Sequence, residues 1–316
     1  MSEPTPFMYS TGMKKSAHLT YVLALITVAL WSTGFVFTRI AVAHVSPIPL
    51  SLIRFLFAAI PLLIVGFYKK VGLPKLKDWP LFLLMGFIGF SFYQTLFNFA
   101  MLSISAAVSS VVISTVPIMA AFFASLLFKE KLGKVGWLAI CIEFFGIAIL
   151  ALWKREVALG KGFILILLAA PCFAAYNLLQ RFSTKEYTAL QSTIWTLISA
   201  ALLMIGFIKP SLQEIVDAPW QAVAAIAFLG AVTSALGILM WSTALSMANQ
   251  ISDVTNFMFI TPLFTAALEI ALIGEYPDGG TIVGGLIILL GVALFNNRHR
   301  FNAGLKATVA MDITND

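Results

Sequence analysis

The chain has 316 residues, of which 60% are hydrophobic and only 11% are charged, and its mean hydropathy is +0.96. Soluble domains carry about 25% charged residues, so this composition excludes a soluble globular protein. The formal net charge of +6 does not indicate a nucleic-acid partner, because the basic residues are distributed as they are around membrane spans.

Continuous apolar runs follow one another along most of the chain. A membrane-spanning helix needs roughly 20 apolar residues, and charged and turn-forming residues divide the chain into ten segments of about that length. The runs do not alternate as the strands of a β-barrel do. The sequence therefore predicts an all-α polytopic membrane protein with polar tails at 1–17 and 302–316. The ten predicted transmembrane helices are 20–43, 48–68, 79–100, 105–127, 134–152, 162–181, 189–208, 220–243, 251–272 and 280–297.

The first predicted span follows Lys14 and Lys15, and this arrangement resembles a secretory signal peptide. The apolar run is longer than the core of a signal peptide, however, and it contains Arg39. Nine further spans follow it. We therefore expect an uncleaved first helix.

The placement of the basic residues predicts the orientation. With the N-terminus in the cytoplasm, the cytoplasmic tails and loops contain 14 Lys and Arg residues and the external loops contain four. Cytoplasmic loops are enriched in Lys and Arg, so both termini are predicted to be cytoplasmic. The external loop 153–161 is the exception, with three of the four external charges. Either this loop lies close to the membrane surface or one of the ten spans is wrong.

The chain also repeats itself at a distance of about 145 residues. Both copies have the same spacings of 13 and then 16 residues: Pro117, Glu130 and Gly146 recur as Pro262, Glu275 and Gly291. Glu130 is flanked by lysines, as expected of a cytoplasmic turn, whereas Glu275 has no basic neighbour, as expected of an external turn. Since each half has five spans, the second half enters the membrane upside down. The predicted domains are two inverted five-helix repeats, 20–152 and 162–297.

Inverted repeats are the architecture of many secondary transporters, in which the two halves exchange conformations around a site near the middle of the membrane. The sequence therefore predicts a transporter of a small solute that works by alternating access, driven by protons or by exchange. Duplication could also build a passive channel, which is the first alternative. A membrane-embedded enzyme is the second, although no compact constellation of acid, base and nucleophile is recognisable.

Several residues give the chain a family resemblance. They are Trp31-Ser32-Thr33-Gly34, Arg54, Pro117 and Glu130 in the first half, and Phe173, Tyr176-Asn177, Arg181, Pro262 and Glu275 in the second. Over residues 20–297 the chain resembles a ten-span permease of the drug/metabolite transporter superfamily with two EamA-type domains. The resemblance implies a multi-pass carrier of the cell (inner) membrane. It also implies transport of small metabolites, most often export of amino acids or drugs.

Aromatic and hydrogen-bonding side chains within spans are the candidates for a substrate site. An aromatic wall with a few polar groups suits a small amphipathic solute, and the guanidinium geometry of Arg54 suits a carboxylate or phosphate. The alternative for the amides is hydrogen bonding between helices, and for arginines near span ends it is contact with headgroups or backbone. The predicted substrate-binding residues are Trp31, Phe35, Arg54, Tyr93, Gln94, Asn98, Tyr176, Asn177, Gln180, Trp241 and Asn256.

Two acids and two prolines within spans are candidates for energy coupling and for motion. Glu143 and Glu269 are the deepest acids, and a buried carboxylate can take up a proton. Glu269 is the predicted coupling residue, because the resemblance places the span of Glu143 at the periphery. A structural hydrogen bond is the alternative for both. Pro117 and Pro262 are predicted hinges, and a static bend is their alternative.

No cofactor or metal is predicted. The sequence has no glycine-rich phosphate-binding loop, so ATP does not drive transport by this chain. His18, His44 and His299 lie at predicted span ends, and Cys141 and Cys172 lack the spacing of metal ligands. The predicted partners are a small-molecule substrate, the lipid bilayer and protons as a candidate coupling ion. The chain is expected to be a monomer or a homodimer and to bind no nucleic acid.

Overall fold

A computed structural model of the chain describes residues 12–128, 133–153, 160–248 and 251–297. These residues form helices joined by short turns, and none of them belongs to a β-strand. The predicted all-α class is therefore confirmed. Glu130, the C-terminal tail and most of the N-terminal tail lie outside the described residues.

The helices begin and end where the sequence offers suitable capping groups. The Ser105 hydroxyl accepts a hydrogen bond from the amide of Val108, and Asp278 caps its helix through the amide of Thr281. Such side chains satisfy amide groups that have no partner in the first turn. Gly274 ends another helix in the left-handed conformation with φ of 77°, which glycine adopts without strain.

In the first half, two of the longer apolar runs do not form one continuous helix but are each interrupted by a turn. The helices are α1 (Gly12–Ala41), α2 (Pro47–Tyr68), α3 (Trp79–Gly86), α4 (Tyr93–Ala100), α5 (Ala106–Ile113), α6 (Val116–Phe128) and α7 (Gly133–Trp153). A π-helical turn, Phe87–Phe92, joins α3 to α4, and Ser114 and Thr115 separate α5 from α6.

The second half is divided in a similar way. Its helices are α8 (Lys161–Ser183), α9 (Ala189–Leu203), α10 (Ile208–Asp217), α11 (Trp220–Phe228), α12 (Gly237–Met247), α13 (Ser252–Thr255), α14 (Thr261–Ile273) and α15 (Gly279–Asn296). A second π-helical turn, Leu229–Leu236, joins α11 to α12, and a 3₁₀ turn, Asn256–Ile260, joins α13 to α14.

Length and apolar composition identify the helices that can cross a membrane. Among the described residues, six stretches qualify: His18–Ala41, Pro47–Tyr68, Leu76–Ala100, Ala106–Phe123, Lys161–Ser183 and Trp220–Met247. A seventh qualifies if the bent pair Ala189–Leu203 and Ile205–Asp217 is one span, and Phe257–Ile273 and Gly279–Phe295 are shorter apolar helices. The chain is therefore a multi-pass membrane protein.

The structure differs from the sequence prediction at the seventh predicted span, 189–208. The helix α9 ends at Leu203, and the chain then bends by 53° into α10. Because α10 carries Lys209, Glu214 and Asp217, it cannot lie in hydrocarbon without a large desolvation cost. Its polar composition explains why the direction of the chain changes there.

Two glycines bring the halves of the bundle into close contact. A Cβ atom on Gly89 would lie 2.4 Å from the ring of Tyr176, and one on Gly230 would lie 2.4 Å from Phe57 and 2.6 Å from the Arg54 carbonyl oxygen. Each glycine belongs to a π-helical turn and faces a helix of the other half. The absence of a side chain therefore permits the two π turns to pack against the opposite half.

Polar contacts join the halves at both ends of the bundle. At the predicted cytoplasmic end, Lys75 Nζ contacts Glu186 at 3.1 Å, and this hydrogen bond raises the pKa of Lys75. The Tyr187 hydroxyl donates to Asp78 in the same loops. At the predicted external end, the Ser46 amide donates to Glu214 at 2.7 Å.

Candidate functional site

A cavity lies in the middle of the bundle, between the two halves. Five of the predicted substrate-binding residues line it: Trp31, Phe35, Arg54, Tyr93 and Gln94. The cavity volume is about 60 Å³, well below the roughly 300–1,000 Å³ of pockets that enclose drug-sized ligands. In this conformation the cavity is therefore small, and it has to widen to enclose a solute.

The Arg54 side chain is the charged group of this cavity, and only 9% of its surface is exposed. Its Nε donates to the Ser234 hydroxyl at 2.7 Å, and its Nη2 donates to the Thr233 hydroxyl at 2.9 Å. Both hydroxyls belong to the second π-helical turn, so the other half of the molecule holds the guanidinium in place. Two of its five N–H donors are used in this way.

No carboxylate of the described residues contacts the Arg54 guanidinium. A buried charge without a partner is costly in a membrane protein, and such residues typically mark substrate or ion pathways. Because the remaining N–H donors lie at the cavity, an anionic group could bind there with two hydrogen bonds. The site is therefore chemically suited to a carboxylate or a phosphate.

Aromatic rings form the apolar wall beside Arg54. The Trp31 ring centroid lies 5.5 Å from that of Phe173, and the Tyr93 ring stacks on Phe173 at 5.1 Å. The Phe35 and Phe97 rings are 5.2 Å apart in an edge-to-face arrangement. These distances are typical of favourable aromatic pairs, so the rings pack against one another and offer an apolar surface to a ligand.

The amides of α4 divide between the cavity and a helix–helix contact. Gln94 lines the cavity and donates to the Asn98 carbonyl at 2.8 Å. Asn98 is fully buried and donates to the Pro47 carbonyl at 3.1 Å and to the Ser51 hydroxyl at 2.9 Å. Asn98 therefore fixes α4 against α2 and does not reach the cavity.

The predicted residues of the second half form another helix–helix contact. The Trp241 indole donates to Asn177 at 2.9 Å, and Gln180 donates to the Ser242 hydroxyl at 2.6 Å. Tyr176 is 1% exposed and packs on Phe90 and Phe173. The structure places Tyr176, Asn177, Gln180 and Trp241 outside the cavity lining. The side chain of Asn256 lies outside the described part of the structure.

The sequence prediction missed Thr233 and Ser234, which hold Arg54. A second repeat in the sequence would have indicated them. Trp79, Phe87 and Gly89 of the first half have the same spacings as Trp220, Phe228 and Gly230 of the second half. In that alignment Ser234 corresponds to Tyr93, a predicted site residue. The repeat thus pairs two side chains that line the same cavity.

Glu269, the predicted coupling residue, lies away from this cavity. Its carboxylate accepts hydrogen bonds from the amides of Ala106 at 2.7 Å and Ala107 at 2.8 Å, at the start of α5. Backbone donors and the positive end of a helix dipole stabilise an ionised carboxylate. This geometry favours a fixed contact between α14 and α5 over the uptake of a proton.

The predicted hinge residues lie at corresponding breaks in the helices. Pro117 is the second residue of α6, and Pro262 is the second residue of α14. Proline is tolerated in the first turn of a helix because its missing amide needs no partner there. Each proline therefore begins a new helix where an apolar run is interrupted.

Comparison with known proteins places these features in a family. The sequence profile described as "EamA-like transporter family" matches residues 18–152 and 160–297. "Uncharacterized transporter YdfC" of Bacillus subtilis is 27% identical over 281 residues, which cover 89% of this chain and 92% of that protein. A crystal structure with 17% identity and a TM-score of 0.62 covers 89% of this chain and 98% of the other, so the overall fold is shared.

Two further relatives have names that mention a solute. "Probable terminal-alkyne amino-acid exporter" of Streptantibioticus cattleyicolor is 24% identical over 276 residues, covering 87% of this chain and 92% of that protein. "Probable amino-acid metabolite efflux pump" of Escherichia coli is 25% identical over 286 residues, covering 86% and 92%.

Proposed function

Since this chain belongs to the EamA-like transporter family, we propose that it is a secondary active transporter that moves a small carboxylate-bearing metabolite by alternating access. The observation that supports this function best is the Arg54 guanidinium, which is buried at the central cavity and contacts no described carboxylate. In a carrier, the bound solute can supply the negative charge that pairs with such a buried guanidinium. The protein acts as a carrier and not as an enzyme.

The proposed architecture is ten transmembrane helices arranged as two inverted five-helix repeats, 20–152 and 162–297. Features that occur once in each half support this arrangement. The Arg39 guanidinium donates to the Met101 carbonyl, and that of Arg181 donates to the Leu245 and Ala248 carbonyls. The two π-helical turns, Phe87–Phe92 and Leu229–Leu236, form a second such pair.

The proposed mechanism uses the breaks at Pro117 and Pro262 as hinges. Rotation of one half against the other would open the central cavity first to one side of the membrane and then to the other. Arg54 is bonded to Thr233 and Ser234 across the interface between the halves, so its contacts with them are coupled to this rotation. A solute carboxylate on Arg54 is thereby linked to the motion.

The proposed solute is an amino acid, an amino-acid derivative or a similar amphipathic compound, and the proposed direction is export. Arg54 would bind its carboxylate, and the rings of Trp31, Phe35 and Tyr93 would cover its apolar body. The names of the relatives from S. cattleyicolor and E. coli mention amino-acid compounds and export. Both are consistent with a carboxylate site beside an aromatic wall.

The proposed location is the cell (inner) membrane, with both termini in the cytoplasm, and the driving force is a proton gradient or exchange of solutes. The protein would act as a monomer or a homodimer. The distribution of 14 basic residues in cytoplasmic and four in external segments supports this orientation.

Competition in proteoliposomes tests the solute class. Purified protein is reconstituted and the uptake of a labelled apolar amino acid is measured against an excess of unlabelled compounds. We expect saturable uptake that free carboxylates inhibit, while the corresponding methyl esters do not, because the esters lack the charge that Arg54 binds. Equal inhibition by acids and esters would contradict the carboxylate site. A flux that does not saturate would indicate a channel, and conversion of the compound would indicate an enzyme.

A further inference from the structure

A second cavity, separate from the central one, lies between α6, α7 and α8. Its volume is about 270 Å³, and apart from Thr115 and Glu143 it is lined by apolar residues. Trp137 and Phe144 belong to the same cavity, and each is more than half exposed. Exposed aromatic side chains on an apolar helix face lipid, so this cavity opens sideways toward the bilayer.

Glu143 is 2% exposed, and its Oε1 atom has no hydrogen-bond partner among the described residues. The neighbouring helix α15 contacts it through Gly291, which leaves room for the Cγ atom of the glutamate. The side chain is thus enclosed between α7 and α15 and reaches an apolar cavity. No base of the described residues forms an ion pair with it.

Apart from Glu143 itself, the helices that surround it carry charged residues only near their ends. Helices α6 and α15 contain no charged residue, and α8 carries Lys161 and Arg181 only at its ends. The nearest base along α7 is Lys134, nine residues away, or about 13 Å at the rise of a helix. Cys172 of α8 is the titratable group beside the lining residue Pro171, and its thiol donates to the Leu168 carbonyl.

An ionised carboxylate in these surroundings would be costly. A charged residue at the centre of a membrane helix is unfavourable, and the absence of a partner for Oε1 adds the cost of an unmade hydrogen bond. The neutral acid avoids most of this cost. Surroundings of this kind therefore favour a carboxyl group that carries a proton.

We propose that Glu143 is a proton-binding site of this carrier. In this conformation its carboxyl group holds one proton, and it releases that proton to water when α6 moves and the second cavity opens. The reaction is the gain or loss of a proton by the carboxylate and requires no other reactant. This inference rests on the proposed function in one respect, which is that proton binding matters only if the helices move during transport.

The position of α6 connects this site to the substrate site. Ile113, the last residue of α5, lines the central cavity, whereas Thr115, just before α6, lines the second cavity. The break that contains Ser114 and Thr115 therefore lies between the two cavities. A movement of α6 at Pro117 would change the surroundings of Glu143 and of the substrate in a single step.

Glu269 provides a comparison, because its side chain is as little exposed as that of Glu143, at 1% against 2%, but is differently bonded. Its two oxygens accept backbone hydrogen bonds from Ala106 and Ala107, which favour the ionised form. Because of these different contacts, we expect Glu143 to be protonated and Glu269 to be ionised.

Infrared spectroscopy tests the proposal without any substrate. Spectra of the full-length wild-type protein in lipid membranes are compared with those of two variants. A protonated carboxyl group has a carbonyl-stretch band that a carboxylate lacks. We expect this band to be lost in Glu143→Gln and retained in Glu269→Gln. An unchanged band in Glu143→Gln would overturn the proposal, as would a band that is lost only in Glu269→Gln.

A labelling experiment on the unmodified protein guards against misfolding of the variant. Dicyclohexylcarbodiimide is an apolar reagent that adds to protonated carboxyl groups in membranes, and peptide mass spectrometry locates the adduct. We expect modification of Glu143 and not of Glu269, and an unmodified Glu143 would contradict the proposal. Neither measurement depends on transport, so a failed carrier assay and a failed proton site give different results.

Discussion

The Arg54 guanidinium is enclosed by the helical bundle, and its two hydrogen bonds go to hydroxyl groups of the opposite half. Hydroxyl groups position a cation but do not neutralise it. The aromatic rings around it add no negative charge beyond their weakly negative faces. At the scale of single residues, no described carboxylate neutralises the guanidinium, and the proposed anion site rests on this observation.

Replacement of Arg54 tests this proposed anion site. Arg54→Gln removes the charge, and hydrogen bonds to charged groups contribute about 1.5–3 kcal/mol. The concentration of solute at half-maximal transport is therefore expected to rise by about 10- to 100-fold. Arg54→Lys keeps the charge but loses the planar geometry, so we expect an intermediate loss.

The matched control is Lys209→Gln, which removes a positive charge from an exposed position at the predicted external end of the bundle. Concentration-dependent uptake in proteoliposomes is the measurement. If Arg54→Gln and Lys209→Gln had the same small effect, the guanidinium would not be the group that binds the solute.

At the scale of the helices, two π-helical turns bring the halves together through Gly89 and Gly230. Single π turns within helices frequently mark functional sites. The second turn supplies Thr233 and Ser234 to Arg54, and the first places Phe90 at the same cavity. The irregular geometry of both helices is therefore part of the site.

A side chain at either glycine is expected to disturb this contact. Gly89→Val and Gly230→Val would place methyl groups within the Tyr176 ring and against the Arg54 backbone, and overpacking costs about 1–3 kcal/mol. We expect both variants to lower the midpoint of thermal unfolding in detergent. Gly72→Ala is the control, because its added Cβ would meet no atom within 4 Å. Unchanged midpoints in both valine variants would contradict the close packing.

Glu269 forms a contact between two helices. Its carboxylate binds the first amides of α5 from α14, which joins the two halves at the predicted external end. Glu269→Ala leaves these amides without a partner, at a cost of about 1–3 kcal/mol. The unfolding midpoint is expected to fall, whereas Glu275→Ala, an exposed neighbour, should leave it unchanged. Equal midpoints for the two variants would argue against the contact.

The sequence predicted the helical class and five of the residues that line the central cavity. It did not predict which other polar residues contact neighbouring helices instead. Apolar runs indicate helices because unpaired backbone groups cannot exist in hydrocarbon. A polar residue in such a run can face a cavity, as Gln94 does, or another helix, as Asn98 and Asn177 do. The choice depends on the rotation of each helix about its axis. That rotation is set by packing against distant segments, which one sequence does not reveal.

At the scale of the whole molecule, the proposed inverted topology determines which loops face the cytoplasm. In a background with Cys141→Ser and Cys172→Ser, single cysteines can report the side. We expect Lys209→Cys to react with a membrane-impermeant maleimide in intact cells, and Lys77→Cys to react only after lysis. Labelling of both residues from outside would contradict the orientation derived from the basic residues.

In the proposed mechanism, the paired features of the two halves, including the breaks at Pro117 and Pro262, allow the molecule to alternate between two arrangements around Arg54. A carrier of this type moves bound solute in both directions, because each half can take the conformation of the other. A channel has no such requirement. The direction of net transport is then set by the driving force.

Counterflow measures this property directly. Proteoliposomes containing wild-type protein are loaded with an unlabelled apolar amino acid and diluted into a trace of the labelled compound, without any ion gradient. We predict a transient accumulation of label above the external concentration, which Arg54→Gln abolishes. Label that only equilibrates in wild-type proteoliposomes, at a rate independent of the internal solute, would contradict alternating access around a central carboxylate site.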